Sequence, residues 1–247
     1  MTTRVITLAA GQGSRMGSDL PKPLVEIAGR PMIEHLLDSI HEASVDDRPI
    51  IVVAPDTIEQ FNSVCGDRCE YAVQKEQLGT GHAVAAAKDA AVDADTIIVL
   101  YGDHPFLSSE KIQELGVLRD EQGAVISMIT TKVPSFEGEY EIFKQWSRII
   151  RDSSGRIVRD VQVKDATDEE LAIKEINPCL FAFDAQWLWD HLPELKNKNA
   201  SGEYYLTDLI EMAIEEGNDI TTATAEPFEV IGVNSPEELK RAEELIG

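Results

Sequence analysis

Short apolar runs alternate with helical patterns through the N-terminal half of this chain, and that rhythm restricts the fold more than any other feature. Val5 to Leu8, Ile50 to Ala54, Tyr71 to Val73 and Thr96 to Tyr101 read as strands. The last is a continuous apolar and β-branched run, as expected of a strand covered on both faces. Between them, Met32 to Ala43 repeats apolar residues at helical spacing through Ile33, Leu36, Leu37 and Ile40. Asp56 is placed to cap a helix through about Val64, and Gly81 to Ala91 is an alanine-rich helix. Strands joined through helices pair in parallel with helices on both sheet faces. The expected fold is therefore α/β, a three-layer sandwich around a mostly parallel central sheet.

The pattern loosens after Asp103. A helix is expected from Ser108 or Ser109 to about Glu121. Strands are expected over Ala124–Thr131, Arg148–Arg151 and Arg156–Val163, the last two joined by a hairpin turn at Asp152–Gly155. Ile173–Phe183 is extended. Trp187–His191 and Tyr204–Glu216 read as helices, Ile220–Ala225 as a strand, and Pro236–Leu245 as a closing helix capped by Ser235. Trp187, Trp189 and Leu192 read as packing residues. A chain of 247 residues with 43% hydrophobic composition can bury one substantial core, so a single domain over 1–247 is expected.

The glycine loop behind the first strand carries the chemistry. Leu8-Ala-Ala-Gly-Gln-Gly-Ser-Arg-Met-Gly-Ser-Asp-Leu-Pro-Lys22 holds Gly11 and Gly13, which let backbone N–H groups approach an anion, and two cations, Arg15 and Lys22. It is not a Walker loop, which needs Gly-Lys-Ser/Thr after a second glycine. Nor is it a dinucleotide fingerprint, because Met16 stands where the third glycine belongs and Pro21 and Pro23 keep the following chain irregular. A surface turn is the bland alternative, and it leaves both cations unexplained.

The net charge of −23 repels nucleic acid backbones and would repel a nucleoside triphosphate as well. An anionic substrate must meet a local positive site. Solubility and a salty cytoplasm are both open as reasons for the acidity. Cys65, Cys69 and Cys179 lack metal-ligand spacing and read as free thiols, and the five histidines form no ligand set. No apolar run approaches bilayer length and no signal-peptide pattern opens the chain, so no membrane association and a cytoplasmic location are expected.

The motif Leu-Ala-Ala-Gly-x-Gly-x-Arg-Met followed by Leu-Pro-Lys resembles the signature of the sugar-1-phosphate nucleotidyltransferases. Within that family it is most similar to the uridylyltransferases acting on N-acetylglucosamine 1-phosphate. Gln74–His82, Tyr101-Gly-Asp103, Lys164–Asp168, Glu175-Ile-Asn177, Gly202–Asp208 and Gly232-Val-Asn234 follow in the family's order and cover nearly the whole chain. The resemblance implies a Rossmann-like (GT-A-like) nucleotidyltransferase. A nucleotide-binding half spans about 1–105, and a sugar-binding half with the closing helix about 106–247. It implies UTP and a sugar 1-phosphate as substrates and Mg2+ as cofactor. The hexapeptide repeats of the acetyltransferase domain found in bifunctional members do not occur in these residues, so acetyl transfer and trimerisation through that domain are not expected.

By resemblance, Arg15 and Lys22 are the catalytic cations, Arg15 on the leaving pyrophosphate and Lys22 near the α-phosphate. Leu8, Ala10, Gly11, Gly13, Gln74, Gly79 and Thr80 bind the nucleotide, with Gln74 reading the uracil edge. Gln74 alone would also accept cytosine, because an amide can flip. Thr80 serves equally well as a helix N-cap. Tyr101, Ser147, Gln162 and Asn177 line the sugar pocket. Asp103 and Asn234 hold the metal, although Asp103 could be a turn acid and Asn234 a helix cap.

The sugar side departs from the family. Trp146-Ser147-Arg148 stands for Tyr-Gly-Arg, Gln162 for a glutamate, and Asn177-Pro178-Cys179 for Asn-Thr-Gly. The expected preference for N-acetylglucosamine 1-phosphate over glucose 1-phosphate is weakened accordingly. A different sugar 1-phosphate or nucleoside triphosphate remains an alternative within enzymes. A non-catalytic nucleotide-sugar-binding regulator is the alternative from another class.

Overall fold

The computed structural model describes residues 1–11, 16–18, 20–199 and 201–246. Its main sheet has ten strands: β1 (Thr3–Leu8), β2 (Ile50–Val53), β3 (Glu70–Val73), β4 (Thr96–Tyr101), β5 (Ile126–Lys132), β6 (Arg148–Arg151), β7 (Ile157–Val161), β8 (Glu175–Ile176), β9 (Phe181–Asp184) and β10 (Thr221–Thr224). The order is β3-β2-β1-β4-β9-β5-β8-β6-β7, with β10 paired to β5. β3, β2, β1 and β4 are mutually parallel, and β9 reverses direction between β4 and β5. β10 runs parallel to β5, while β8, β6 and β7 form an antiparallel extension.

The helices are α1 (Met32–Ala43), α2 (Ile58–Cys65), α3 (Thr80–Ala86), α4 (Ser109–Gln122), α5 (Asp168–Leu171), α6 (Ala185–His191), α7 (Asp208–Glu215) and α8 (Pro236–Ile246). Alternation along the strands divides the core between two faces. Ile6, Leu8, Ile97 and Val99 pack with Val84, Leu188, Leu209 and Ile210 of α3, α6 and α7. Val5, Ile51, Ile98 and Leu100 pack with Leu36, Phe61 and Leu115 of α1, α2 and α4. A third cluster joins Ile27, Met32, Phe143, Ile176, Val233 and Ala242 around the closing helix. This is the three-layer sandwich expected from the rhythm of the sequence.

Three local expectations change. Asp56 does not cap α2. Thr57 turns back onto the Ala54 carbonyl through its N–H and hydroxyl, both at 3.1 Å, and the helix begins at Ile58. The Gly81–Ala91 helix is shorter: α3 ends at Ala86 and a 3-10 turn covers Lys88–Ala91. The helix expected from Tyr204 starts only at Asp208, because Tyr204 donates its N–H to the Leu78 carbonyl and accepts from Gly81 N–H, each at 2.8 Å. Ser235 does cap α8, accepting from Glu238 N–H at 3.2 Å. The three cysteines are free thiols. Among the described residues no helix is long and apolar enough to cross a membrane.

Candidate functional site

A cavity of about 400 Å³ opens at the carboxyl ends of β1 and β4, where Leu8 and Tyr101 are paired. The crossover from β1 runs to β2 on one side, and the chain then returns to β4 on the other. This switch point in an open α/β sheet is where ligands settle. Leu8, Ala10, Gly11, Lys22, Gln74, Gly79, Thr80, Tyr101 and Asp103 all line the cavity. Nine of the sequence-derived site residues therefore converge. Gly13 and Arg15 lie outside the described residues.

Local packing brings the loop carrying Lys22 against the strand end carrying Asp103. Lys22 opens a 3-10 turn, Lys22–Leu24, fixed on either side by Pro21 and Pro23. Pro23 lies so close to Gly102 that a Cβ there would sit 3.0 Å from its ring. Val233 N–H donates to the Asp103 carbonyl at 3.0 Å and so pins the Gly232–Asn234 segment to the same point. The Lys22 ammonium then donates to Asp103 Oδ2 and, at 2.8 Å, to Asn234 Oδ1. Asn234 spends its other side-chain atom on the Gly232 carbonyl at 2.9 Å, so it does not act as a helix cap.

Asp103 is buried. Burial works to raise its pKa, but the neighbouring Lys22 and His104 together outweigh it and hold the carboxyl below the ordinary aspartate value. His104, with Nε2 3.9 Å from Asp103 Oδ1, is pushed down by burial against the pull of that carboxylate. Its ring lies between Tyr101 and Trp146, with centroids 6.1 and 6.4 Å away. Burial pushes the Tyr101 phenol well above its usual range, with Cys179 and Asp103 adding to the effect.

Asp103 and Asn234 offer two oxygens that bracket one cation, the Lys22 ammonium. Two hard oxygens completed by substrate phosphates and water suit Mg2+. No group of three or more His, Cys, Asp and Glu able to hold a metal occurs among the described residues. A metal here would therefore depend on the substrate for part of its shell.

The nucleoside side is held by backbone docking. Gly79 has φ of +114°, and a Cβ there would lie 2.6 Å from the Tyr204 carbonyl oxygen. Only glycine combines that conformation with such close approach. Thr80 Oγ1 accepts from Leu206 N–H at 2.9 Å rather than capping α3. Gln74 Nε2 is 3.1 Å from both the Gly79 carbonyl, to which it donates, and His82 Nδ1. Flipping the amide would set oxygen against oxygen at Gly79. The free flip allowed by the sequence is thus opposed, and the carbonyl is the amide atom left uncommitted.

Of the sugar-side residues, Tyr101 lines this first cavity and the other three lie elsewhere. Ser147 and Asn177 are buried beside each other, with Asn177 N–H donating to the Ser147 carbonyl at 3.4 Å. Gln162 is exposed and lines a second cavity, of about 350 Å³, between β7 and α7. Sequence reasoning missed Gln77, which donates to the Ala10 carbonyl at 2.7 Å, and Glu203, also in the first cavity. Both sit inside segments already singled out by motif, which was the available signal. It also missed Asp160, whose Oδ2 accepts from Asn177 Nδ2 at 2.8 Å. No motif marks that position.

Residues 5–215 match the model of the MobA-like NTP transferase domain. The chain is 38% identical over 240 residues to the bifunctional protein GlmU of Brevibacillus brevis, covering 96% of this chain and 50% of that protein. To GlmU of Alcanivorax borkumensis it is 40% identical over 247 residues, covering 99% and 52% respectively. The chain thus spans about half the length of these relatives. Among solved structures, a Bacillus anthracis protein named as a glucose-1-phosphate thymidylyltransferase superposes with a TM-score of 0.78 at 19% identity, covering 98% of this chain and 94% of that one. A CMP:2-keto-3-deoxy-manno-octonic acid synthetase complexed with CTP superposes with a TM-score of 0.71 at 18% identity, covering 100% and 98%. At those identities the superpositions establish the fold. The family match and the relatives along the whole chain establish that this protein belongs to the MobA-like NTP transferase domain family and is a nucleotidyltransferase.

Proposed function

We propose that the protein transfers the uridylyl group of UTP to a sugar 1-phosphate, with N-acetylglucosamine 1-phosphate as the leading acceptor, and releases pyrophosphate. The observation that carries this reading is the convergence of Asp103, Asn234 and Lys22 on one point of a cavity whose wall presents Gln74. The resemblance of the motifs to uridylyltransferases acting on N-acetylglucosamine 1-phosphate supports the choice of sugar and base, and the similarity to GlmU supports nucleotidyl transfer. A protein that only bound a nucleotide sugar would not need this full cation and phosphate set.

A sugar phosphate oxygen attacks the α-phosphorus in line, and the bond to the bridging oxygen of pyrophosphate breaks. The nucleophile needs no base, because a phosphate monoester has a second pKa of about 6 and is mostly dianionic at neutral pH. The protein supplies positioning and charge neutralisation. Asp103 and Asn234 would hold a divalent cation, Mg2+ by donor type, which would supply positive charge to offset that of the phosphates. Lys22, at the same point, neutralises charge near the α-phosphorus. Arg15 takes the leaving pyrophosphate by its place in the motif. The fixed Gln74 carbonyl accepts from the N3–H of uracil, a donor that cytosine lacks at that position.

The test is pyrophosphate release from each of four nucleoside triphosphates against a panel of sugar 1-phosphates with Mg2+. Release should be greatest with UTP, require both substrates and stop with EDTA. No release from any pair, with UTP still bound, would overturn the enzyme's proposed reaction.

A further inference from the structure

Asp160 is a carboxylate that the nucleotide cavity does not use. It stands near the end of β7 and faces the second cavity. Its Oδ2 is held by Asn177 Nδ2 at 2.8 Å, while its Oδ1 is shut off from solvent and has no hydrogen-bond partner. A buried acceptor left without a donor needs an explanation. The Ser147 hydroxyl lies beside the carboxyl, and burial pushes its pKa up.

Asn177 also ties Asp160 to Cys179. Asn177 Oδ1 accepts from Cys179 N–H at 2.7 Å, which holds Cys179 in the left-handed region at φ +62°. Burial pushes the Cys179 thiol up, and the charges of Asp160 and Asp103 add to the effect. Ser147, Gln162, Pro178 and Cys179, where the sequence departs from its family pattern, all belong to this neighbourhood. Asp160 is two residues before Gln162, the spacing that returns to one face of an extended chain. The acid missing at 162 has a counterpart at 160.

The second cavity is charged on one side only. Asp160, Asp165, Asp208 and Glu211 line it, and the one cation lining it, Arg159, is paired with Glu170 at 2.7 Å.

We propose that Asp160 is a specificity-determining residue of the sugar subsite, selecting a neutral or cationic hexose 1-phosphate and rejecting one that carries a carboxylate. The inference rests on the sugar-phosphate reading above. The Asp160 carboxylate at the cavity wall, held by Asn177, accepts from a ring hydroxyl or amino group, and its charge repels a uronic acid. Discrimination of this kind comes as much from the repulsive element as from the attractive one.

The experiment compares N-acetylglucosamine 1-phosphate with glucuronic acid 1-phosphate as acceptors, and UDP with the two corresponding UDP-sugars as ligands. Wild type should strongly prefer the neutral sugar. Asp160→Asn, which keeps the shape and the bond to Asn177, should narrow the kcat/KM ratio about tenfold while leaving UDP affinity and the KM for UTP unchanged. Asp208→Asn, which removes a second charge from the same cavity, should narrow it in the same direction by less. It gives an independent reading where Asp160→Asn folds poorly. An unchanged ratio in both variants, with UDP bound normally, overturns the role of Asp160 and leaves the uridylyl-transfer reading standing. Failure of wild type to bind UDP or to use either sugar overturns both.

Discussion

At the scale of single residues, the site is a contest of charges around Asp103. The Lys22 ammonium bonds to the two oxygens proposed to hold a metal. Lys22→Met should therefore have two opposite effects. Mn2+ binding without nucleotide, followed by electron paramagnetic resonance, should tighten severalfold. Meanwhile kcat should fall by about 10²–10³, as for loss of one preorganised charge contact. Unchanged metal affinity would show that Lys22 does not compete for that point. Asp160 gives a prediction of stability. Its folded pKa is raised, chiefly by burial, so the acid favours folding when protonated and opposes it as pH rises past the unfolded value. Asp160→Asn, which mimics the neutral acid, should raise Tm near pH 7.5 by roughly 2–4 °C for each 1 kcal/mol relieved. The gain should vanish near pH 4. An equal gain at both pH values would assign the effect to packing instead. Lys22, Gln74, Asp103 and Asn234 were legible in the sequence because each sits in a motif. Asp160 was not, because its meaning comes from Asn177 and Ser147, which reach it only through the pairing of β6, β7 and β8.

At the scale of elements, α3 and the 203–206 segment hold each other. Gly79, Thr80 and Gly81 meet Tyr204 and Leu206 through backbone bonds and close approach. Gly79→Ala places a Cβ against the Tyr204 backbone at a φ that alanine rarely adopts. It should cost about 1–3 kcal/mol of stability and raise the KM for UTP more than that for the sugar phosphate. Thermal unfolding and initial-rate kinetics would check this; an equal change in both KM values would mean a global effect. The strand and helix pattern foretold β1, β2, β4 and α1 closely, since their burial follows from local periodicity. The late start of α7 was not legible. Tyr204 has helical neighbours in sequence, but its N–H and carbonyl are claimed by Leu78 and Gly81, over a hundred positions away. Tertiary hydrogen bonds outweighed local preference there.

At the scale of the whole molecule, the acid-rich chain, with its net charge of −23, sets the Lys22 cation in the cavity at the switch point of the sheet. That location was legible from the glycine loop behind β1 and the acid after β4. The reversal of β9 between β4 and β5 was not, because a short apolar strand carries no sign of its direction. The account stands or falls on uridylyl transfer at this cavity. The most direct measurement is 31P NMR of UTP, N-acetylglucosamine 1-phosphate and Mg2+ with the wild-type protein and with Asp103→Asn. Wild type should convert the two substrates into UDP-sugar and pyrophosphate in equal amounts, with Asp103→Asn slower by at least two orders of magnitude while still folded. Release of UMP and pyrophosphate without UDP-sugar, or undiminished transfer by Asp103→Asn, would contradict it.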